Sequence, residues 1–199
     1  MDKHICFTTE MARLIITDRK TVTRRAINHH AAGECPYGPV GVHLWLKEDF
    51  YAYGRWEVTQ RANQKRLGWH FIDMTLQSGQ DYQFTAPGPL LDTPFSEQTP
   101  RWWHRPGRLM PRRASRATLE VTDIQTERLH DITDEQAQQE GFYSIHDSAQ
   151  TYFVNHLEPP YSGLSPTAVI AFATWWEYSD KHQAWHDNPW VWVITFRRL

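Results

Sequence analysis

The stretch that most constrains the fold is WVWVITFRRL, residues 190–199. Strand parity puts Trp190, Trp192, Ile194 and Phe196 on one side and Val191, Val193 and Thr195 on the other, so both faces are apolar. Such a strand is stable only where both faces are covered, which predicts an interior position in a sheet packed on two sides. At 199 residues the chain is long enough for a core of that kind within one domain.

Partner strands are readable upstream. PYGPVG (36–41) is turn chemistry, and VHLWLKEDF (42–50) after it alternates Val42, Leu44 and Leu46 against His43, Trp45 and Lys47. ASRATLEVTDIQTERL (114–129) has strand character through Leu119, Val121 and Ile124, and KTVTRRAI (20–27) predicts a strand with Thr21, Thr23 and Arg25 on one face. From Gly54 to about Gly107 the pattern weakens. WHFIDMTL (69–76) and DYQFTA (81–86) predict short strands beside the proline-rich APGPLLDTPFSEQTP (86–100), so a single domain over 1–199 with an insertion or lid at about 54–107 is expected.

Three helices are marked. TTEMARLIIT (8–17) carries Met11, Leu14 and Ile15 at helical spacing, with Thr8 or Thr9 as N-cap. In DITDEQAQQEG (131–141), Thr133 and Gln136 form a capping box and Gly141 supplies the left-handed stop. Glu140 then sits in the last turn, the unfavourable end of the helix dipole for an acid. SPTAVIAFATWWEYSDKH (165–182) predicts a long helix with Ser165 as N-cap, Pro166 at the first position, and Val169, Phe172, Ala173 and Trp176 facing the core.

The bulk properties exclude several classes. No window reaches the roughly 18 apolar residues of a membrane span, and the N-terminus lacks a signal-peptide pattern, so a cytoplasmic protein is expected. Cys6 and Cys35 form no CxxC pair, and the histidines His182 and His186 (i, i+4) and His29 and His30 find no convincing third ligand, so no metal and no other cofactor is expected. P-loop, dinucleotide-fold and GxSxG patterns are absent from the sequence.

Two cationic clusters remain. DRKTVTRR (18–25) places four cations and two threonines in eight positions of a chain whose formal net charge is -2. It reads either as a solvated corner or as a phosphate or carbonyl cradle built from turn amides, hydroxyls and Arg25. PRWWHRPGRLMPRRASR (100–116) interleaves Arg101, Arg112, Arg113 and Arg116 with Trp102 and Trp103. Arginine neutralises phosphate while tryptophan stacks on an unpaired base, so this segment is a candidate single-strand surface; the alternative is an arginine-rich loop over buried tryptophans.

RKTVTRR after an amphipathic helix, PYGPVGVHLWLKE, MPRRASRATLEVTDI, DITDEQAQQEG and the WVWVITFRR end together resemble the ASCH domain, a member of the PUA-like superfamily, and especially its larger phage and prophage varieties. The resemblance implies an α+β fold: a PUA-like mixed β-barrel with flanking helices and a long insertion. It also implies activity on RNA or modified nucleosides. In the compact ASCH enzymes that deacetylate N4-acetylcytidine, the working residues are a lysine, a threonine three positions later and a glutamate ending the short helix; those positions here hold Lys20, Thr23 and Glu140. Arg25, Thr21 and Arg24 are then expected to bind substrate. The expected function is metal-independent amide hydrolysis of an N4-acylated cytidine, free or within nucleic acid. Two alternatives stay open: a ribonuclease or single-stranded RNA binder, and a non-catalytic reader of a modified base.

Overall fold

The structure is a computed structural model that describes residues 3–27, 33–60, 67–88, 99–146, 150–157, 162–179 and 184–199. Eleven strands and three α-helices are defined among them: β1 (Lys3–Cys6), α1 (Thr9–Ile16), β2 (Val22–Ala26), β3 (His43–Lys47), β4 (Phe50–Gln60), β5 (Leu67–Asp73), β6 (Arg101–Arg105), β7 (Thr118–Arg128), α2 (Asp134–Gln139), β8 (Ser144–His146), β9 (Thr151–Val154), β10 (Leu164–Ser165), α3 (Ala168–Ser179) and β11 (Trp190–Arg198). The chain is therefore α+β with strands dominant. It divides into two compact units, one of residues 1–46 and 116–199, the other of residues 47–115.

In the first unit a five-stranded sheet runs in the order β1-β3-β7-β11-β2. β11 lies inside it, antiparallel to both β7 and β2, as its two apolar faces require. Val191 and Val193 enter one hydrophobic cluster with Met11, Leu14, Phe142, Phe172 and Trp176, whereas Ile194 and Phe196 enter a second with Ile5, Ile15, Leu44, Leu46 and Leu119. Exposure is confined to the strand's ends, Trp190 at one and Arg197 and Arg198 at the other. Helix α1 contributes to both clusters: Met11 and Leu14 point to one, Ala12 and Ile15 to the other.

The sheet is open among the described residues, with β1 and β2 as its unpaired edges. A side chain spans those edges: Arg25 of β2 donates from Nη2 to the carbonyl of Cys6 at the end of β1, at 2.6 Å. Such a contact requires the sheet to curl.

Helix α2 forms as its sequence signals direct. The Thr133 hydroxyl accepts from the Gln136 amide, the Gln136 side chain accepts from the Thr133 amide, and Gly141 takes a φ of +106°. A Cβ at Gly141 would stand 2.8 Å from Leu14 Cδ1, so conformation and space both demand glycine there. Helix α3 starts later than its sequence suggests. Ser165 is occupied in β10, paired with Phe153 of β9, and the cap falls to Thr167, whose hydroxyl accepts from the Ile170 amide. Asp134 of α2 adds a second cap by accepting from the Val169 amide at 2.9 Å.

In the unit of residues 47–115 the order is β5-β4-β6, and Phe50, Ala52, Tyr82, Met110 and Ala114 form its core. DYQFTA does not form a strand: it makes only an isolated bridge, Tyr51 to Gln83, and its Tyr82 hydroxyl donates to the Asp73 carboxylate at 2.6 Å.

Candidate functional site

The corner carrying Lys20 is fixed by backbone before any side chain is considered. The amides of Arg19 and Lys20 both donate to the Leu14 carbonyl at the end of α1, and the Thr21 amide donates to the Gln139 carbonyl at the end of α2. Two helix C-termini thus hold the turn. Asp18 takes a left-handed φ of 56°, and its carboxylate receives Arg198 through two hydrogen bonds of 3.1 and 2.7 Å. Arg19 lies over the Tyr143 ring.

Lys20 is buried, and its Nζ donates both to the Glu140 carbonyl, at 2.8 Å, and to the Glu140 carboxylate. The second carboxylate oxygen of Glu140 receives Arg24 Nη1 at 3.3 Å. Arg24, also buried, reaches Glu127 from Nε and Nη2, at 2.8 and 2.6 Å, and Gln136 at 3.0 Å. The network therefore pairs two cations with two carboxylates. Burial pushes the Lys20 ammonium down from its ordinary range, with Glu140 opposing and the nearby Arg25 and Arg24 charges assisting. The acid at the unfavourable end of α2 is thus compensated by two cations rather than by solvent.

Thr23 lies on the face of β2 opposite Arg24, is buried, and is paired in register with Ile194 of β11. No hydrogen bond engages its hydroxyl among the described residues. Arg25 shares that face, and its guanidinium lies 4.8 Å from the Phe7 ring centroid. Phe7 is common ground, for Lys20 Nζ stands 5.9 Å from the same ring. Arg25 Nε is buried without an acceptor. Thr21 serves through its backbone, its carbonyl accepting from the Phe196 amide.

A further group lies here that the sequence did not disclose. His156, with a left-handed φ of 55° and a side chain only 1% exposed, places Nε2 2.8 Å from the Gly141 carbonyl and Nδ1 3.4 Å from Glu10. Consecutive carbonyls at the end of α2, those of Glu140 and Gly141, are therefore claimed by Lys20 and His156. Burial lowers the His156 pKa, the Gly141 carbonyl and Glu10 oppose that shift, and the Lys20 charge adds to it. His156 stands in a loop with no spacing pattern, so only the fold brings it to this place.

The side chains of the second cationic cluster take different partners. Trp102 and Trp103 are adjacent in β6 and point to opposite faces: Trp102 packs on Tyr53, Trp103 on Trp56. Arg101 stacks on Trp103 at 3.9 Å. Arg113 is tied to Tyr82 and Asp73, at 2.8 and 3.0 Å, while Arg116 belongs to the other compact unit. Arg112 lies between them in a short 3-10 turn, Arg112–Ala114. Strand parity thus separates the two tryptophans, and Arg113 is engaged within its own unit.

Among the described residues no group of three or more His, Cys, Asp or Glu side chains is placed to hold a metal ion. His29, His30 and His182 lie outside the described residues. No helix among the described residues is long and apolar enough to cross a membrane. Comparison with family models, with curated proteins and with solved structures finds no significant match to this chain.

Proposed function

We propose that this chain is an ASCH-type protein of PUA-like fold that hydrolyses an N4-acylated cytidine or a similarly modified pyrimidine, free or within nucleic acid. The observation that carries this reading is the buried meeting of Lys20 and Glu140 beside the strand that bears Thr23. A lysine lowered by burial has a neutral fraction able to accept a proton, which an exposed lysine lacks near neutrality. The Arg25 bridge between the sheet edges supports a curled, barrel-like sheet.

In this reading Thr23 Oγ attacks the amide carbonyl and its proton passes to neutral Lys20. The proton taken up by Lys20 is then relayed through Glu140 to the departing exocyclic amine, so the C–N bond breaks as the acyl–Thr23 ester forms and Lys20 returns to its neutral state. Water then cleaves the ester and restores the hydroxyl. Arg25, with an unsatisfied Nε, orients the substrate, and Arg24 holds Glu140 in place.

A second reading, a non-catalytic reader of a modified base, is favoured by the closure of the network: both Glu140 oxygens, Lys20 Nζ and the Arg24 guanidinium are already engaged. Incubation with N4-acetylcytidine, other N4-acyl cytidines and labelled single-stranded RNA separates the readings. The amidase requires released cytidine, falling at least about a hundredfold in Thr23→Ala as expected for loss of a nucleophile. RNA cleavage surviving that substitution points to a ribonuclease, and binding without turnover to the reader.

A further inference from the structure

The formal charge is divided unevenly between the compact units. Residues 47–115 carry ten Lys and Arg against seven Asp and Glu, a formal +3; the remainder carries eleven against sixteen, a formal -5. The basic unit also holds an unusual cation. Arg105 opposes Phe50 in the β4–β6 pairing, yet its guanidinium stands 4.9 Å from the centroid of Trp56, six residues further along β4, and 4.3 Å from that of Phe71. The sheet must curl strongly for that contact. Gly54 permits it, since a Cβ there would lie 2.2 Å from the Ile72 carbonyl.

The result is a face on which Trp103, Trp56 and Phe71 pack edge to face, at 5.9 and 5.5 Å, beneath Arg105. Along the β4–β5 hairpin the same face continues into Val58 and Trp69, paired directly and 47% and 52% exposed. Among the described residues no hydrogen bond or ion pair engages the Arg105 guanidinium, and partial burial lowers its pKa. The planar guanidinium carries paired N–H donors that match the oxygens of a phosphodiester. An exposed indole beside it offers a flat apolar surface to a planar ring.

We propose that this face, with Arg105 for phosphate and Trp69 for base stacking, binds single-stranded nucleic acid. A phosphodiester chain satisfies both halves of the surface at once, because it alternates anions with planar rings, and the positive balance of the unit favours it. An acidic peptide would satisfy the arginine and leave Trp69 without a stacking partner. The proposal is independent of the Lys20 site.

Anisotropy of a fluorescein-labelled oligothymidylate, titrated with the full chain over a salt series, tests it. Binding is expected to weaken as salt rises. Trp69→Ala, a change at an exposed position, should lower affinity at least about fivefold, as loss of one stacked base does. Arg105→Gln should flatten the salt slope, and Arg105→Lys should keep the slope but lose affinity, since charge is retained and the flat fork is not. Absence of binding, affinities of Trp69→Ala and Arg105→Gln within about twofold of the parent, or equal competition by polyglutamate would each overturn the proposal. Because binding is read on the parent protein directly, failure to deacylate any cytidine does not bear on it.

Discussion

Lys20 and Glu140, 120 residues apart in sequence, meet twice: the ammonium binds both the main-chain carbonyl and the carboxylate of the same residue. The first contact caps a helix and the second neutralises a buried acid, so one side chain offsets two costs that α2 carries at its C-terminus. Removing one member of a buried pair leaves the other charge without compensation. Lys20→Met and Glu140→Gln should each destabilise the protein by about 3–5 kcal/mol, and the double variant should cost less than the two added together. Urea unfolding of the four proteins checks this. Additive losses would show that the two groups are energetically independent.

His156 makes stability depend on pH. Its pKa is lowered in the folded chain by burial chiefly, against the Gly141 carbonyl and Glu10, whereas in the unfolded chain it returns to its ordinary value of 6.5. Below that value the unfolded state binds a proton that the folded state refuses until its own lower pKa is reached. Stability from this residue is therefore complete above about pH 6.5 and declines as pH falls through the window beneath it. His156→Gln should lower stability near neutrality by removing a buried contact, and should flatten the decline between neutrality and mild acid. Thermal melts of parent and variant across that range give the comparison, and unchanged steepness would mean the residue does not titrate in this window.

Local signals and non-local ones differed in what the sequence made legible. The limits of α2 could be read because Thr133, Gln136 and Gly141 act within one turn of the residues they cap. The interior position of β11 could be read because both of its faces are apolar. Ser165 misled, since its strand pairing with Phe153 is set from outside the helix it was expected to cap. The direction of Lys20 depends on the Leu14 carbonyl and the end of α2, neither of which strand parity knows. His156 meets Glu10 only through the tertiary fold. Opposite faces for Trp102 and Trp103, by contrast, follow from their adjacency once the segment is recognised as a strand.

Gly141 tests whether the α2 terminus tolerates adjustment. Gly141→Ala requires a non-glycine residue at φ +106° and drives its Cβ to 2.8 Å from Leu14 Cδ1, a core side chain of α1. A loss of about 1–3 kcal/mol is expected from the backbone alone, with crowding added to it. Leu14→Ala in the same chain relieves the crowding but not the strain, so it should recover none of the backbone cost. A double variant as stable as Leu14→Ala alone would show that the glycine is needed only for space.

Thr133 and Gln136 separate helix capping from the site. Thr133→Ala removes the acceptor for the Gln136 amide and should cost about 0.5–2 kcal/mol while leaving Lys20, Arg24 and Glu140 as they are. Gln136→Leu removes an oxygen that serves two donors, the Thr133 amide and Arg24 Nη2, both at 3.0 Å. Leaving these donors without their partner should cost about 1–3 kcal/mol for each that stays buried, and it also loosens the arginine that holds the Glu140 carboxylate. If deacylation is the activity, Thr133→Ala should therefore lower the melting temperature without changing kcat measured well below it, whereas Gln136→Leu should lower both. Equal kcat for the two variants would show that Arg24 keeps Glu140 in place through Glu127 alone.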